Sequence, residues 1–359
     1  MNDREPLPPR KSAYALVPAA SIRDDALRLF AAALGPGAPS LDQIRASWWT
    51  RAQPHCAVAA VHIETGTMVG LCAGRPSEWI IAGQTVPAVA VCDWYVHPNH
   101  AGKLIGKRMV QHFQRPGRML YGISISDIAI AYLQRLGWVG PFASALLVAP
   151  LPRLGHAAFS LFATRSDLDF SDHVVGAGAP PGSLASFGDD LDRLESCRAP
   201  GSPDHMRRGA REWSWRSSVC GEHSYRLSIA HQAGEPLGYV AIRLMAPGRI
   251  PQLGKRQAAM ITDFVATKDD PKLLRALARR ALAMAGELRA VAALTATTNP
   301  IHRRALAASG FVSPAFPLIG GALARRAPVF MWLPKDAGAP LKADHMELTF
   351  ADAAVDLDL

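Results

Sequence analysis

Apolar positions along this chain fall into short runs broken by glycine-bearing turns, and into stretches that recur every three or four residues. Residues 57–63 form an apolar run, followed by the turn Glu64-Thr65-Gly66 and a second run over 68–73. The same order returns at 225–231, Gln232-Ala233-Gly234 and 237–244, with a glycine early in each second arm, Gly70 and Gly238. Both patterns predict β-hairpins. Next come residues 88–96 (AVAVCDWYV) and 258–266 (AAMITDFVA), β-type runs that each enclose one carboxylate, Asp93 or Asp263, followed by an aromatic residue. A helix is predicted after each. Ile105, Met109 and Phe113 recur every four residues in the first, and Leu273, Leu277, Ala281 and Ala285 in the second.

A third landmark completes the series. Residues 126–139 and 299–312 both read as short helices ending in glycine plus an aromatic, Gly137-Trp138 and Gly310-Phe311, where glycine is the favoured residue just past a helix end. The landmarks keep their order at a separation of about 170 residues, which indicates a duplicated unit. The expected fold class is mixed α/β, two tandem domains, each a largely antiparallel central sheet flanked by helices. The expected divisions are a polar, proline-rich and disordered N-terminus over 1–12, a first domain over 13–165 and a linker over 166–203. A second domain over 204–340 and a tail over 341–359, acidic at its end, complete the chain. Breaker-rich AGAPPG and RAPGSP stretches carry the linker reading.

Composition narrows the classes. With 49% hydrophobic and 19% charged residues the chain has too much apolar material for disorder. The apolar run at 142–151 stops well short of the ~20 residues of a membrane span. Residues 1–11 lack the apolar core of a secretory signal, so a cytoplasmic location with no membrane association is expected. Five scattered cysteines form neither a disulfide framework nor a metal motif, and no metal is expected. A net charge of +9 suits phosphorylated cofactors or anionic metabolites. Basic blocks with interleaved aromatics are missing, which points away from nucleic acid. Whether the chain forms a homo-oligomer stays open.

The chemistry concentrates in residues 92–113, CDWYVHPNHAGKLIGKRMVQHF. A buried strand ends at Val96, Pro98 stops it, and a glycine-containing loop enters an amphipathic helix. Backbone N–H groups of the loop and first helical turn then lack partners and, with the helix dipole, favour a phosphate. Gly102 and Gly106 are expected to let the backbone approach closely, and Lys103, Lys107 and Arg108 add positive charge. Asp93, a carboxylate in an apolar run, is a candidate base or a structural hydrogen-bonding group. His97 and His100 flank the loop and could transfer protons or simply lie at the surface. Trp48, Trp49, Trp213 and Trp215 read as core or interdomain anchors.

At these residues the sequence resembles the GNAT superfamily of acyl-CoA-dependent N-acetyltransferases. Val96, Pro98, Gly102 and Gly106 fall on the family's V-x-P-x-x-R-G-x-G-x-G/A loop, and Ser126, Ala129, Gly137 and Trp138 echo its later helix. The tandem layout, the DWYVHP strand and the late LTFAD resemble two-domain acetyltransferases found beside bacterial polysaccharide biosynthesis genes. The resemblance implies acetyl-CoA as acyl donor, held by Tyr95, Val96, Ala101, Gly102, Lys103, Leu104, Ile105, Gly106, Lys107 and Ser126. An amine or hydroxyl of a small-molecule acceptor, such as an amino sugar, would attack the thioester. Backbone N–H groups at the end of the Asp93–Val96 strand would polarise its carbonyl. Asp93 would serve as base and Tyr132 as acid, the latter beside Leu133, which stands where the family has its tyrosine. Ala101 replaces the family's arginine and Leu104 a loop glycine. In the second copy the loop reads TKDDPK, with no glycine and two carboxylates. A weakly active or inactive acyl-CoA-binding protein is the alternative reading.

Overall fold

The computed structural model describes residues 12–19, 23–34, 57–123, 127–143, 145–151, 168–176, 179, 183–198, 203–219, 224–245, 247, 253–313, 329–333 and 346–347. The chain divides into two compact units, one of residues 1–76 and 89–116, the other of residues 77–88 and 117–359.

The first unit contains β1 (Tyr14–Pro18), α1 (Arg23–Leu34), β2 (Ala57–His62), most of β3 (Met68–Ile81) and β4 (Gln84–Val96), and α2 (Ile105–His112). Its strands lie in the order β1-β2-β3-β4, with β1 and β3 each antiparallel to β2. Alternation along β3 sends Leu71 and Ala73 into one cluster with Ala26 of α1, while Gly70 faces α2. A Cβ on Gly70 would stand 3.1 Å from Met109 Cε and 3.2 Å from the Tyr95 carbonyl oxygen, so the bare backbone is what lets α2 and β4 close on β3. Ile105, Met109 and Val110 form the buried stripe of α2.

The second unit runs β5 (Met119–Ile123), α3 (Asp127–Arg135), β6 (Val139–Ala143), β7 (Ala145–Pro150), β8 (Asp169–Gly176), α4 (Gly188–Cys197), β9 (Asp204–Met206) and α5 (Ala210–Val219). It continues with β10 (Ser224–Gln232), β11 (Glu235–Leu244), β12 (Ala259–Ala266), α6 (Pro271–Glu287), β13 (Ala292–Thr297), α7 (Pro300–Ala307), β14 (Val329–Leu333) and β15 (Met346–Glu347). A six-stranded sheet has the order β7-β13-β12-β11-β10-β8. Leu273, Leu274, Leu277 and Ala281 of α6 pack on one face with Val240, Ile242 and Ile261. On the other face Leu191 and Leu194 of α4 and Trp213 of α5 pack with Tyr225, Tyr239 and Val265.

Three features depart from the sequence reading. Residues 166–203, expected as a linker, carry β8, paired along β10, and α4, with Val175, Leu191 and Leu194 in the core. Strands are also exchanged across the expected domain divisions. β7 pairs with β13 from Ala145↔Thr297 to Pro150↔Ala292, while β14 lies between β5 and β6. The tail, finally, is no solvated terminus at 346–347: Met346 and Glu347 are buried and pair in parallel with Asp204 and His205 of β9.

The duplication is visible bond by bond. His97 N–H donates to the Val69 carbonyl at 2.8 Å, and Thr267 N–H to the Leu237 carbonyl at 2.8 Å. Gly238 repeats Gly70, its Cβ position lying 2.6 Å from the Val265 carbonyl and 3.0 Å from Leu277. Gly137 (φ +83°) and Gly310 (φ +97°) close their helices alike, with Trp138 N–H bonded to Leu133 O at 3.1 Å and Phe311 N–H to Leu306 O at 3.2 Å. Among the described residues no helix is long and apolar enough to cross a membrane, and no side-chain cluster is suited to a metal ion.

Candidate active site

The site is built where β4 runs out. Asp93 has φ +49°, a left-handed conformation that interrupts the extended strand one residue before Trp94. Its partly buried carboxylate lies close enough to Cys72 to help push that thiol up, second to burial itself. Tyr95 and Val96, also partly buried, finish the strand, but the next amide, His97 N–H, is already taken by Val69 O.

Beyond it the chain makes a short turn over Pro98–His100, held by Asn99 N–H donating to His97 Nδ1 at 3.3 Å. Gly102 (φ +76°) and Leu104 (φ 60°, ψ 11°) are both left-handed, and α2 begins at Ile105. No side chain caps α2. A Cβ on Gly102 would meet nothing within 4 Å, so the loop has open space in front of it. Leu104 points outward, 61% exposed, rather than folding over the helix end. Amides at such an uncapped terminus attract an anion.

The matching position of the second copy is closed. Asp270 caps α6 by accepting Lys272 N–H at 2.8 Å, with Pro271 in the first turn. Asp269 and Asp270 also place negative charge where phosphate would have to sit.

Cations surround the first loop unevenly. Lys103 is exposed and its Nζ lies 5.7 Å from the Tyr14 ring centroid; Lys107 is partly exposed. Arg108 is committed to β1, with Nη1 donating to Ser12 Oγ at 2.6 Å and Tyr14 O at 3.0 Å. The Tyr14 hydroxyl meets His100 Nδ1 at 3.1 Å, and the His100 ring lies 5.9 Å from that of His62 and 6.0 Å from that of His97. Partial burial first, then the positive neighbours Lys103, His62 and His97, hold His100 below the usual imidazole range.

Of the expected site residues, β4 and α2 bring Asp93, Tyr95, Val96, Ala101, Gly102, Lys103, Leu104, Ile105, Gly106 and Lys107 into one segment of the first unit. The structure gives Gly106 a packing task as well. A Cβ there would stand 3.0 Å from Trp94 Cζ2 and 3.1 Å from Trp94 Nε1, so this glycine seats α2 against β4. Ile105 is core, 2% exposed. Tyr132 lies on α3 in the second unit, half-buried, and Leu133 beside it is a core residue. Ser126, Trp48 and Trp49 lie outside the described residues. Trp213 is the buried anchor it was expected to be, its indole N–H 3.3 Å from the Tyr239 hydroxyl.

Sequence reasoning missed a buried polar group in the second unit. Asp263, counterpart of Asp93, is 1% exposed. It accepts the Tyr239 hydroxyl at 2.6 Å and Phe264 N–H at 3.0 Å, with Arg208 Nε at 3.4 Å. Burial first, then the Asp263 charge, pushes the Tyr239 hydroxyl well up. Strands β12 and β13 pair only at Ala259↔Ala293 and Met260↔Leu294. Past that point Arg208 links Asp263 to Glu347, and Thr298 Oγ1 donates to Met346 O at 2.5 Å. The tail thus packs beside the buried Asp263–Arg208 pair through Glu347. The one signal for it was a glutamate flanked by apolar residues in a tail otherwise read as polar.

Strand β4 thus feeds an uncapped helix with lysines beside it, in an α/β protein. Residues 21–138 match the Acetyltransferase (GNAT) family, so that part of the chain is a GNAT acetyltransferase domain. No curated protein matches it in sequence. In fold the chain is similar to a GCN5-related N-acetyltransferase from Anabaena variabilis, with TM-score 0.56, 12% identity, and 89% of this chain and 72% of that one covered. A GCN5-related N-acetyltransferase from Kribbella flavida matches with TM-score 0.51 and 14% identity over 89% of this chain and 70% of the other. Saccharomyces cerevisiae N-myristoyltransferase with bound myristoyl-CoA matches with TM-score 0.51 and 11% identity over 96% and 90%.

Proposed function

We propose that this protein is an acetyl-CoA-dependent N-acetyltransferase acting on an amine, or a hydroxyl, of a small molecule such as an amino sugar, with the donor held by the first copy alone. One observation carries this reading: the helix after β4 is uncapped and lysine-flanked in the first copy, while Asp270 caps its equivalent in the second. The residues present fit a diphosphate. Gly102 leaves open space, the first-turn amides of α2 have no side-chain acceptor, and Lys103 and Lys107 supply charge. When bound, an acyl-CoA supplies a thioester whose acyl group passes to the acceptor nitrogen as the thiol departs.

The chain's own residues then divide the work. Amides of Gly102 to Lys107 bind and orient the diphosphate. Asp93, left-handed near the end of β4, takes the proton that the attacking ammonium must lose, and the departing sulfur takes up a proton as the thiol leaves. Expected behaviour is a rise in melting temperature with acetyl-CoA that is lost in a Lys103→Glu, Lys107→Glu double variant. Amine-dependent release of free thiol from acetyl-CoA completes the test. An unchanged melting temperature at millimolar acetyl-CoA removes the reading. Running myristoyl-CoA in parallel decides the acyl length, since one fold relative holds that longer donor.

A second reading, a binding protein without turnover, is favoured by Ala101 in place of the family's arginine and by Arg108 being tied to Ser12 and Tyr14. Binding with no thiol release under any amine would establish it.

A further inference from the structure

We infer that the second copy holds a binding site for a small oxyanion, anchored by the guanidinium of Arg243. This residue lies in β11, 1% exposed, and its Nε, Nη1 and Nη2 have no hydrogen-bond partner. Among the described residues it makes no ion pair. A guanidinium has five N–H donors, accepts nothing and does not give up its charge. Removing it from water with every donor idle is among the most unfavourable states a side chain can occupy. Other buried arginines of this unit show how the fold avoids it. Arg198 and Arg208 close on Glu347 at 2.7 and 3.0 Å, and Arg216 on Glu212 at 3.1 Å.

The surroundings indicate what is missing. Strand alternation puts Arg243 on the same face as Tyr239 and Ala241, the face packed by Trp213. Across the ladder it stands opposite Met260, which clusters with Met245 and Leu294. Its position is therefore the border between the Tyr239–Asp263–Arg208 group and an apolar floor. The acceptor two rungs along the ladder is spoken for: Asp263 is held by Tyr239, Phe264 and Arg208. An oxyanion would satisfy two of the fork's donors at once and balance the surplus charge. The internal repeat adds an independent observation. Arg243 follows Gly238 by five residues as buried Arg75 follows Gly70, so the second copy has this arginine although its diphosphate loop is gone.

The site calls for a carboxylate or phosphate, and the methionine floor favours a carboxylate on a short apolar body. The test is thermal unfolding of the full chain at constant ionic strength in chloride, titrated separately with phosphate, acetate and hexanoate. At one hundred times its Kd the bound anion should raise the wild-type melting temperature by about 3–5 °C. Arg243→Met should show no rise and, without the anion, should melt at or above wild type; Arg243→Lys should keep part of the response. Hexanoate acting well below acetate identifies the apolar acid, and phosphate alone acting identifies the phosphate source. Indifference of the wild type to all three, or an equal rise in Arg243→Met, overturns the proposal. Should Arg243→Met fail to fold, calorimetric titration of the wild type and Arg243→Lys decides it, and no binding heat in the wild type is a refutation. The response must also persist in the Lys103→Glu, Lys107→Glu variant. Its loss there would place the anion at α2 and overturn the site, whereas acetyl-CoA failing to bind would end the proposed function and leave this site standing.

Discussion

Glu347 Oε2 lies 2.7 Å from Arg198 Nη2, with only 2% and 3% of the two side chains exposed. Burial alone would raise this carboxyl. Arg198 first, then His302, Arg208 and His205, outweigh it and hold Glu347 far below the usual carboxylate range. Removing one partner of such a pair leaves the other charge buried. Glu347→Ala should therefore cost about 3–5 kcal/mol in denaturant unfolding.

The same group sets a dependence on acid. A carboxyl with a depressed folded-state pKa contributes stability above its unfolded value and loses it as pH falls toward the folded one. The stability gap between wild type and Glu347→Gln should be full above about pH 5 and shrink steadily below about pH 4. Urea melts across that range check it, and a gap independent of pH would contradict the ion pair.

Leu104 holds φ 60° at the start of α2, a conformation that costs a non-glycine residue about 1 kcal/mol or more. Leu104→Gly should be neutral to mildly stabilising in thermal unfolding and should tighten acetyl-CoA binding. Adding Ala101→Arg restores a charge-assisted contact worth about 1.5 kcal/mol, close to tenfold in Kd by calorimetry.

Gly106→Ala places a methyl where Trp94 already stands, 3.0 Å from Cζ2. A loss of about 1–3 kcal/mol is expected in chemical denaturation, with a change in Trp94 fluorescence as the indole is displaced. An unperturbed, equally stable variant would show that α2 and β4 are not packed as described.

His100 should titrate below the ordinary imidazole value by NMR, because partial burial and then the positive charges of Lys103, His62 and His97 all disfavour its protonation. Lys103→Gln should move its midpoint upward without returning it fully, since burial remains. Binding of a diphosphate beside it should also move the midpoint upward.

Much of this was written in the chain. Apolar alternation, the turns at Gly66 and Gly234 and the helix stops at Gly137 and Gly310 marked the two hairpins, the strands that follow them, and helices α2, α3, α6 and α7, because each depends on neighbours a few residues away. The loop over 96–107 was legible for the same reason, as glycines, a proline and lysines act within one turn of helix. Strand partners were not legible. Residues 142–151 read as one apolar run, yet they supply β6 to β14 and β7 to β13, since periodicity says which face of a strand is buried and never which strand lies beside it. The task of Gly106 also waited for the fold, because the clash that demands it comes from Trp94 across the strand–helix contact. Local sequence does not mark Arg198, Arg208, Arg243 and Glu347 as buried charges, since most such residues lie at the surface. Only tertiary packing removed them from water, and only it decided that three would find one another and the fourth would be left with its donors idle.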